Sequence, residues 1–120
     1  MGFDLFNDPT QQGLQYALNS LALREQVVAQ NIANAQTPGY VAQDVDFQGT
    51  LDQIMSGAQQ ATPAQTGTVV NAPDVSARQD GNTVSLESEM GRQNQTTTLY
   101  NTLTQLMTDR MEILKTAITG

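Results

Sequence analysis

Between Pro9 and Gln36 the apolar residues Leu14, Leu18, Leu21, Val28, Ile32 and Ala35 recur at spacings of four and three, and Glu25 alone interrupts the row. Such spacing lays a stripe along one face of a helix with a coiled-coil period. Tyr16, Ala17, Leu23 and Val27 widen the stripe or start a second ridge. Asp8-Pro9 supplies an acidic N-cap and a proline at the first helical position. A helix is therefore predicted over 9–36, preceded by a short flexible N-terminus at 1–8. Its end is encoded as well. Pro38 lacks an amide donor and biases Thr37 out of the α region, and Gly39 permits positive φ, so the helix must stop near Ala35 or Gln36.

A second helical pattern fills the C-terminal third. Ser85 suits an N-cap, and Glu87 and Glu89 fall in the first turn, where the helix dipole favours negative charge. Leu86 and Met90 open its apolar face and Gln93 and Thr97 interrupt it. The face resumes at Leu99/Tyr100, Leu103, Leu106/Met107, Met111, Leu114 and Ala117/Ile118. Met90, Met107 and Met111 read as core filling. Arg110 and Lys115 suit the negative end of the dipole, so the helix is predicted over about 85–118.

The stretch between the helices is less regular. Residues 37–55 begin as a turn and an extended segment, after which Phe47, Leu51 and Ile54 sit at helical spacing, enough for a short amphipathic turn or two. From 56 to 84 small and polar residues dominate, with prolines at 63 and 73, and the composition predicts a flexible linker. Within it Val69-Val70 is a weaker candidate for a short strand, and Asp80-Gly81-Asn82 signals a turn. The fold class is read as all-α: long N- and C-terminal helices paired as an antiparallel coiled coil and joined by an extended, partly irregular loop with a short helix. The expected seam sets Leu14, Leu18, Leu21, Val28 and Ile32 against Tyr100, Leu103, Met107, Met111, Leu114 and Ile118. Leu23, Val27, Leu99, Leu106 and Ile113 lie beside that seam, and exposed apolar ridges of this kind usually meet another chain.

Composition narrows what such a hairpin can do. Apolar residues make up 38% of the 120 and tryptophan is absent, which leaves little for a thick core. Twelve acidic residues against five basic ones give a net charge of −7, and Arg24, Arg78, Arg92, Arg110 and Lys115 form no stripe. Phosphate backbones and anionic membranes are poor partners for such a surface. Neither cysteine nor histidine occurs. Thiol chemistry, disulfides, the commonest transition-metal ligands and the usual neutral-pH base are thereby excluded. The N-terminus MGFDLFNDPTQQ carries no basic and apolar run of the secretory kind, and no segment approaches the length of a membrane span.

The carboxylate pairs offer little chemistry. Asp44 and Asp46 read as solvated charge in a loop, and Glu87 and Glu89 as first-turn capping. Asp80-Gly81-Asn82 lacks the glycine placement and terminal carboxylate of a calcium loop. No enzyme, cofactor or metal site is expected. Asn31 and Asn34 are harder to place, because asparagine is a poor interior helix residue that serves well near helix ends. Either both cap their own chain locally, or at least one amide reaches across to the following loop or to a neighbouring subunit.

The segment NIANAQTPGY, Asn31 to Tyr40, is similar to the signature of bacterial flagellar axial proteins, the rod, hook and hook-associated subunits. The surrounding pattern of Arg24, Gln26, Ala29, Asn31 to Ala35, Thr37 to Tyr40, Ala42, Asp44, Asp46, Phe47 and Leu51 resembles the proximal-rod branch of that family. So does DGNTVSLESEM, with Asp80, Gly81, Asn82, Val84, Leu86, Glu87, Glu89 and Met90, and Asn94, Tyr100 and the ending Ala117 to Gly120 continue the match. Gln36, Val41 and Ser85 depart from the residues usual there. The resemblance implies a non-enzymatic structural subunit of the proximal rod whose terminal helices pack around a central channel. The implied location is the basal body, in the periplasmic rod, reached without a cleaved signal peptide. Implied partners are other copies of itself, sister rod proteins, the small rod adaptor protein and the membrane-embedded MS ring, with the type III export apparatus during secretion. No nucleic acid and no small-molecule substrate is implied. The implied assembly motif is Asn31, Ile32, Ala33, Asn34, Ala35, Thr37, Pro38, Gly39, Tyr40, Asp46 and Phe47. A competing reading is a small acidic helical adaptor or chaperone of the flagellar export system.

Overall fold

A computed structural model describes residues 9–46, 52, 66–73 and 75–119. Helix α1 spans Pro9–Ala33, strand β1 Gln43–Asp46, strand β2 Thr68–Asn71 and helix α2 Leu86–Thr119. Pro9 is the first described residue of α1. The helix ends slightly sooner than its apolar pattern, because its hydrogen-bond ladder tightens first. The Asn34 amide donates to both Gln30 O (3.0 Å) and Asn31 O (3.2 Å), and Ala35 N donates to Ile32 O (3.2 Å). The shift from i−4 to i−3 acceptors unwinds the chain ahead of Pro38. At the start of α2 the Ser88 amide donates to Ser85 Oγ at 3.3 Å, as an N-cap requires.

The helices run antiparallel in one register. Gln11 Nε2 donates to Met107 Sδ (3.2 Å), Arg24 Nη1 to Gln95 Oε1 (3.4 Å), Thr97 Oγ1 to Glu25 Oε1 (3.4 Å) and Asn31 Nδ2 to Glu89 Oε2 (3.0 Å). In that register Pro9 lies near Met111, and the last two turns of α2 run on past the start of α1. At about 1.5 Å per residue α2 alone is about 51 Å long, in a chain whose longest dimension is 62 Å.

One expectation needs correction. The fold is not purely all-α: β1 and β2 form a two-stranded antiparallel sheet that pairs Gln43 with Asn71, Asp44 with Val70, Val45 with Val69 and Asp46 with Thr68. Val69 and Val70 are thus strand residues inside the stretch read as linker. The rest of that stretch from 56 to 65, and the proposed short helix at Phe47, Leu51 and Ile54, lie outside the described residues. The strand at 68–71 is held by its partner strand rather than by buried apolar surface. Gly67 N also donates to the buried Ser20 Oγ at 2.9 Å, which fastens the entry to β2 onto α1.

The seam residues differ in how far they are covered. On α1, Leu14, Leu21 and Val28 are buried and Leu18 and Ile32 half-buried. On α2, Leu103, Met107 and Leu114 are half-buried, but Tyr100, Met111 and Ile118 are 36%, 43% and 66% exposed. The only α2 residues fully buried among those described are Glu89 and Thr96, both polar. The side of α2 that faces α1 is therefore largely polar, and its bulkiest residues flank the contact. A separate apolar cluster sits at the far end of the hairpin, where Ala35, Ala42, Ala72 and Val84 pack together with Tyr40 and Val75 against them. Among the described residues no helix is long and apolar enough to cross a membrane.

Candidate functional site

The stretch from Asn31 to Tyr40 folds into a compact polar knot against β1, the 78–84 loop and the start of α2. Asn31 is its centre and is wholly buried. Its Nδ2 donates to Gln43 O (2.8 Å) and to Glu89 Oε2 (3.0 Å), while its Oδ1 accepts from Gln43 N (3.1 Å) and Tyr40 Oη (3.3 Å). Both amide hydrogens and both acceptor positions are used. The side chain pairs with the Gln43 backbone as a neighbouring strand would, which places β1 on α1 and simultaneously ties α1 to α2. Asn34 does something different. Its Nδ2 donates back to Gln30 O (2.8 Å) and its Oδ1 accepts from Thr37 Oγ1 (3.1 Å), a cap confined to its own turn.

The carbonyls left open at the end of α1 are satisfied from more than forty residues away. Buried Asn82 donates through Nδ2 to Asn34 O (2.9 Å), Ala35 O (3.2 Å) and Thr37 O (2.7 Å), and its Oδ1 accepts from Val84 N (2.7 Å). The Arg78 guanidinium donates to Ala35 O as well, and to Val84 O at 2.9 Å. Backbone bonds close the join: Gly39 N to Asp80 O (2.8 Å), Thr83 N to Tyr40 O (2.9 Å) and Ala72 N to Ala42 O (2.9 Å). Gly39 and Gly81 have φ of 75° and 82°, and a Cβ on Gly81 would sit 3.3 Å from Gly39 Cα. Two glycines let the two loops touch backbone to backbone.

A charge network extends the knot along the helix pair. Arg24 Nε and Nη2 donate to Asp44 Oδ1 (2.8 Å) and Oδ2 (3.3 Å), a two-point contact. Arg92 Nη1 donates to Glu89 Oε1 at 2.6 Å, and its Nε lies 3.7 Å from Asp44 Oδ2. Two arginines and two carboxylates thus form a neutral set joining α1, β1 and α2. The Arg24, Asp44 and Arg92 side chains are 14% exposed and Glu89 is fully buried. Asp44 is accordingly not a solvated loop charge, and Glu89 is more than a first-turn cap. Asp44 is drawn inward by an arginine on another element, and Glu89 by Arg92 one turn along its own helix and by Asn31 across the pair.

The remaining motif residues divide by exposure. Ala35 belongs to the small apolar cluster, and Ile32 and Tyr40 are half-buried. Ala33, Thr37, Pro38, Gly39 and Asp46 are exposed, and Phe47 lies outside the described residues. Sequence reasoning gave no site role to Arg78 or Arg92, placed Arg24 and Asn82 only within the family-like pattern, and did not see the inward role of Glu89. The Asp80-Gly81-Asn82 turn signal marked the right place without revealing its partner. Among the described residues no group of three or more histidine, cysteine or carboxylate side chains could hold a metal ion.

Buried polar groups that satisfy one another and present no reactive constellation define an architectural element, the kind that fixes the shape of a structural subunit. No family model matches the chain. Individual relatives do. Flagellar basal body rod protein FlgB of Bacillus subtilis strain 168 is 32% identical over 92% of this chain and 94% of its own length. The FlgB of Cereibacter sphaeroides ATCC 17029 is 34% identical over 84% and 89%, and that of Escherichia coli K12 is 36% identical over 62% and 67%. The chain belongs to the FlgB family of flagellar basal body rod proteins. It is a structural component of the flagellar basal body and of bacterial motility, and not an enzyme.

Proposed function

We propose that this chain is a building block of the proximal rod that seats through its helix faces among other copies of itself and sister rod proteins. The rod adaptor protein and the MS ring lie at the base of that assembly, and the type III export apparatus delivers the chain without a cleaved signal peptide. The observation that carries this reading is the exposure of the two flanks of α2. Leu86, Leu99, Leu106, Met111, Ile113 and Ile118 are between 40% and 68% exposed along one helix. An apolar surface of that extent on so small a chain is a contact surface. The Asn31–Tyr40 motif, with Asp46 and Phe47 beyond it, serves assembly by fixing where the chain leaves α1. Once neighbours cover the flanks, the seams Leu14–Ile32 and Tyr100–Ile118 close as a coiled-coil pair.

The test is complementation of a host made non-motile by deletion of its own copy. The wild-type chain should restore motility and co-purify with basal bodies. Pro38→Ala combined with Gly39→Ala should let α1 overrun and abolish rod assembly. Normal swimming by that double variant would sink the role given to the turn. Recovery of the wild-type chain only in the cytoplasm, bound to export components, would favour an adaptor or chaperone instead.

A further inference from the structure

The apolar side of α2 that faces α1 outruns its partner. That side is marked by Glu89, Thr96, Leu103, Met107, Arg110 and Leu114, buried or half-buried at steps of seven, four and three. Met111 and Ile118 each stand about one turn beyond a member of the row and continue the same side, yet they are 43% and 66% exposed. The register explains the difference. Gln11 meets Met107 and Asn31 meets Glu89, which sets Pro9 near Met111. The last two turns of α2 therefore have no described α1 residue beside them. There Met111, Leu114, Lys115, Ile118 and Thr119 line an open groove of about 180 Å³. A cavity of about 150 Å³ accepts benzene, so this groove has room for one phenyl ring.

Phe3, Leu5 and Phe6 precede Pro9 in the sequence, so they enter α1 from the end at which the groove opens. Their reach fits at both limits of chain extension. At ~1.5 Å per residue Phe3 lies about 9 Å beyond Pro9, and at ~3.3 Å per residue Phe6 lies about 10 Å beyond it. Ile118 lies about 10 Å beyond Met111 along α2. Charge is matched as well. Asp4 and Asp8 are the charged side chains of the segment. At about 100° per residue, Arg110 and Lys115 border the α1-facing side of α2, whereas Asp109 and Glu112 fall on the opposite side.

We propose that the Phe3–Phe6 segment folds back along its own chain and seats a phenyl ring in the Met111–Leu114–Ile118 groove, clasping the open end of the helix pair. A tether of a few residues holds the ring at an effective concentration on the order of millimolar. A contact too small to join two copies therefore suffices within one. Leu99, Leu106 and Ile113 lie roughly a quarter to a third of a turn from that side and stay open to other chains. Groove and segment belong to one chain, so the clasp stands whether or not the chain enters a rod.

Tryptophan is absent from the sequence, so one introduced indole reports on the segment alone. The isolated full chain is made with Phe6→Trp and, separately, with Phe3→Trp. At least one of the two should emit at shorter wavelength than free tryptophan in water and be quenched several-fold less by acrylamide. Adding Met111→Gln with Ile118→Gln should return that emission to the water value, with little change in helix content by circular dichroism. Lys115→Glu should weaken the protection, and Glu112→Lys on the far side should leave it unchanged. Water-like emission from both reporters overturns the proposal and leaves the groove to another occupant. Protection that survives the two glutamine substitutions overturns it too. So does protection that appears only at high protein concentration, which hands the groove to the segment of another copy. If the glutamine variant unfolds, the charge pair decides alone, and equal quenching of Lys115→Glu and Glu112→Lys overturns the clasp. None of these readouts uses a flagellum, so each outcome leaves the rod-subunit reading to its own test.

Discussion

The two ends of the helix pair are built on opposite terms. At the knot, Asn31, Asn82 and Glu89 are polar and wholly buried, and each of them hydrogen-bonds. Toward the C-terminus of α2, Leu106, Ile113 and Ile118 are large, apolar and at least half exposed. An ordinary globular domain reverses this arrangement. The contrast shows what each end is for. Directional bonds specify one geometry and tolerate no substitute, so the knot fixes the shape of a single chain. Non-directional apolar surface rewards any close partner, so the open end supplies adhesion between chains.

Breaking the knot should have the largest effect on the isolated chain. Asn31→Leu leaves the Gln43 amide and carbonyl and a Glu89 oxygen without their buried partner. A loss of about 3 kcal/mol is expected from urea unfolding, given ~1–3 kcal/mol for each stranded buried group. A loss below about 1 kcal/mol would mean that water readily replaces the amide. Next come the glycines, which test whether the loops truly touch. Gly81→Ala should cost about 2 kcal/mol, since positive φ and the 3.3 Å approach to Gly39 Cα act together. Gly39→Ala carries only the φ penalty, about 1 kcal/mol, because nothing lies within 4 Å of its added methyl. Equal melting points for the two variants would contradict the close approach.

Smaller effects sharpen the comparison. Asn34→Ala should cost about 0.5 kcal/mol, far less than the same change at Asn31, because its cap is local and water can replace it. Thr96 is wholly buried on α2, and its Oγ1 has no hydrogen-bond partner among the described residues. Thr96→Val keeps the shape and removes that hydroxyl, so a gain of about 0.5–1 kcal/mol is expected in thermal or urea melts. Leu106→Gln should lie within about 0.5 kcal/mol of wild type in the same melts and yet fail to restore motility. A variant that unfolds the isolated chain would place Leu106 in the core of one molecule rather than between molecules.

Much of this architecture was legible along the chain. Apolar spacing fixed both helices, Pro38 and Gly39 marked the end of the first, and Ser85 marked the start of the second. The resemblance of NIANAQTPGY and DGNTVSLESEM to flagellar axial proteins led to the family that the relatives define. The candidate site was legible only in part. Asn34 and Asn31 occupy the same helix end three residues apart, yet the side chain of one bonds only to its own turn and that of the other joins three elements. Nothing in the local sequence separates them, because the difference lies in which atoms arrive from Gln43 and Glu89.

The sequence by itself determined the elements whose signals lie within a few residues: helix periods, caps, breakers and the lean, acidic composition. Tertiary structure alone decided that Val69 and Val70 pair with β1, that Asn82 caps a helix ending more than forty residues earlier, and that Asp44 turns inward to Arg24 and Glu89 to Asn31. The physical reason is range. A helix hydrogen bond or a proline clash acts between near neighbours in the chain, whereas a strand pair, a remote cap or a buried ion pair exists only after folding has brought distant residues together.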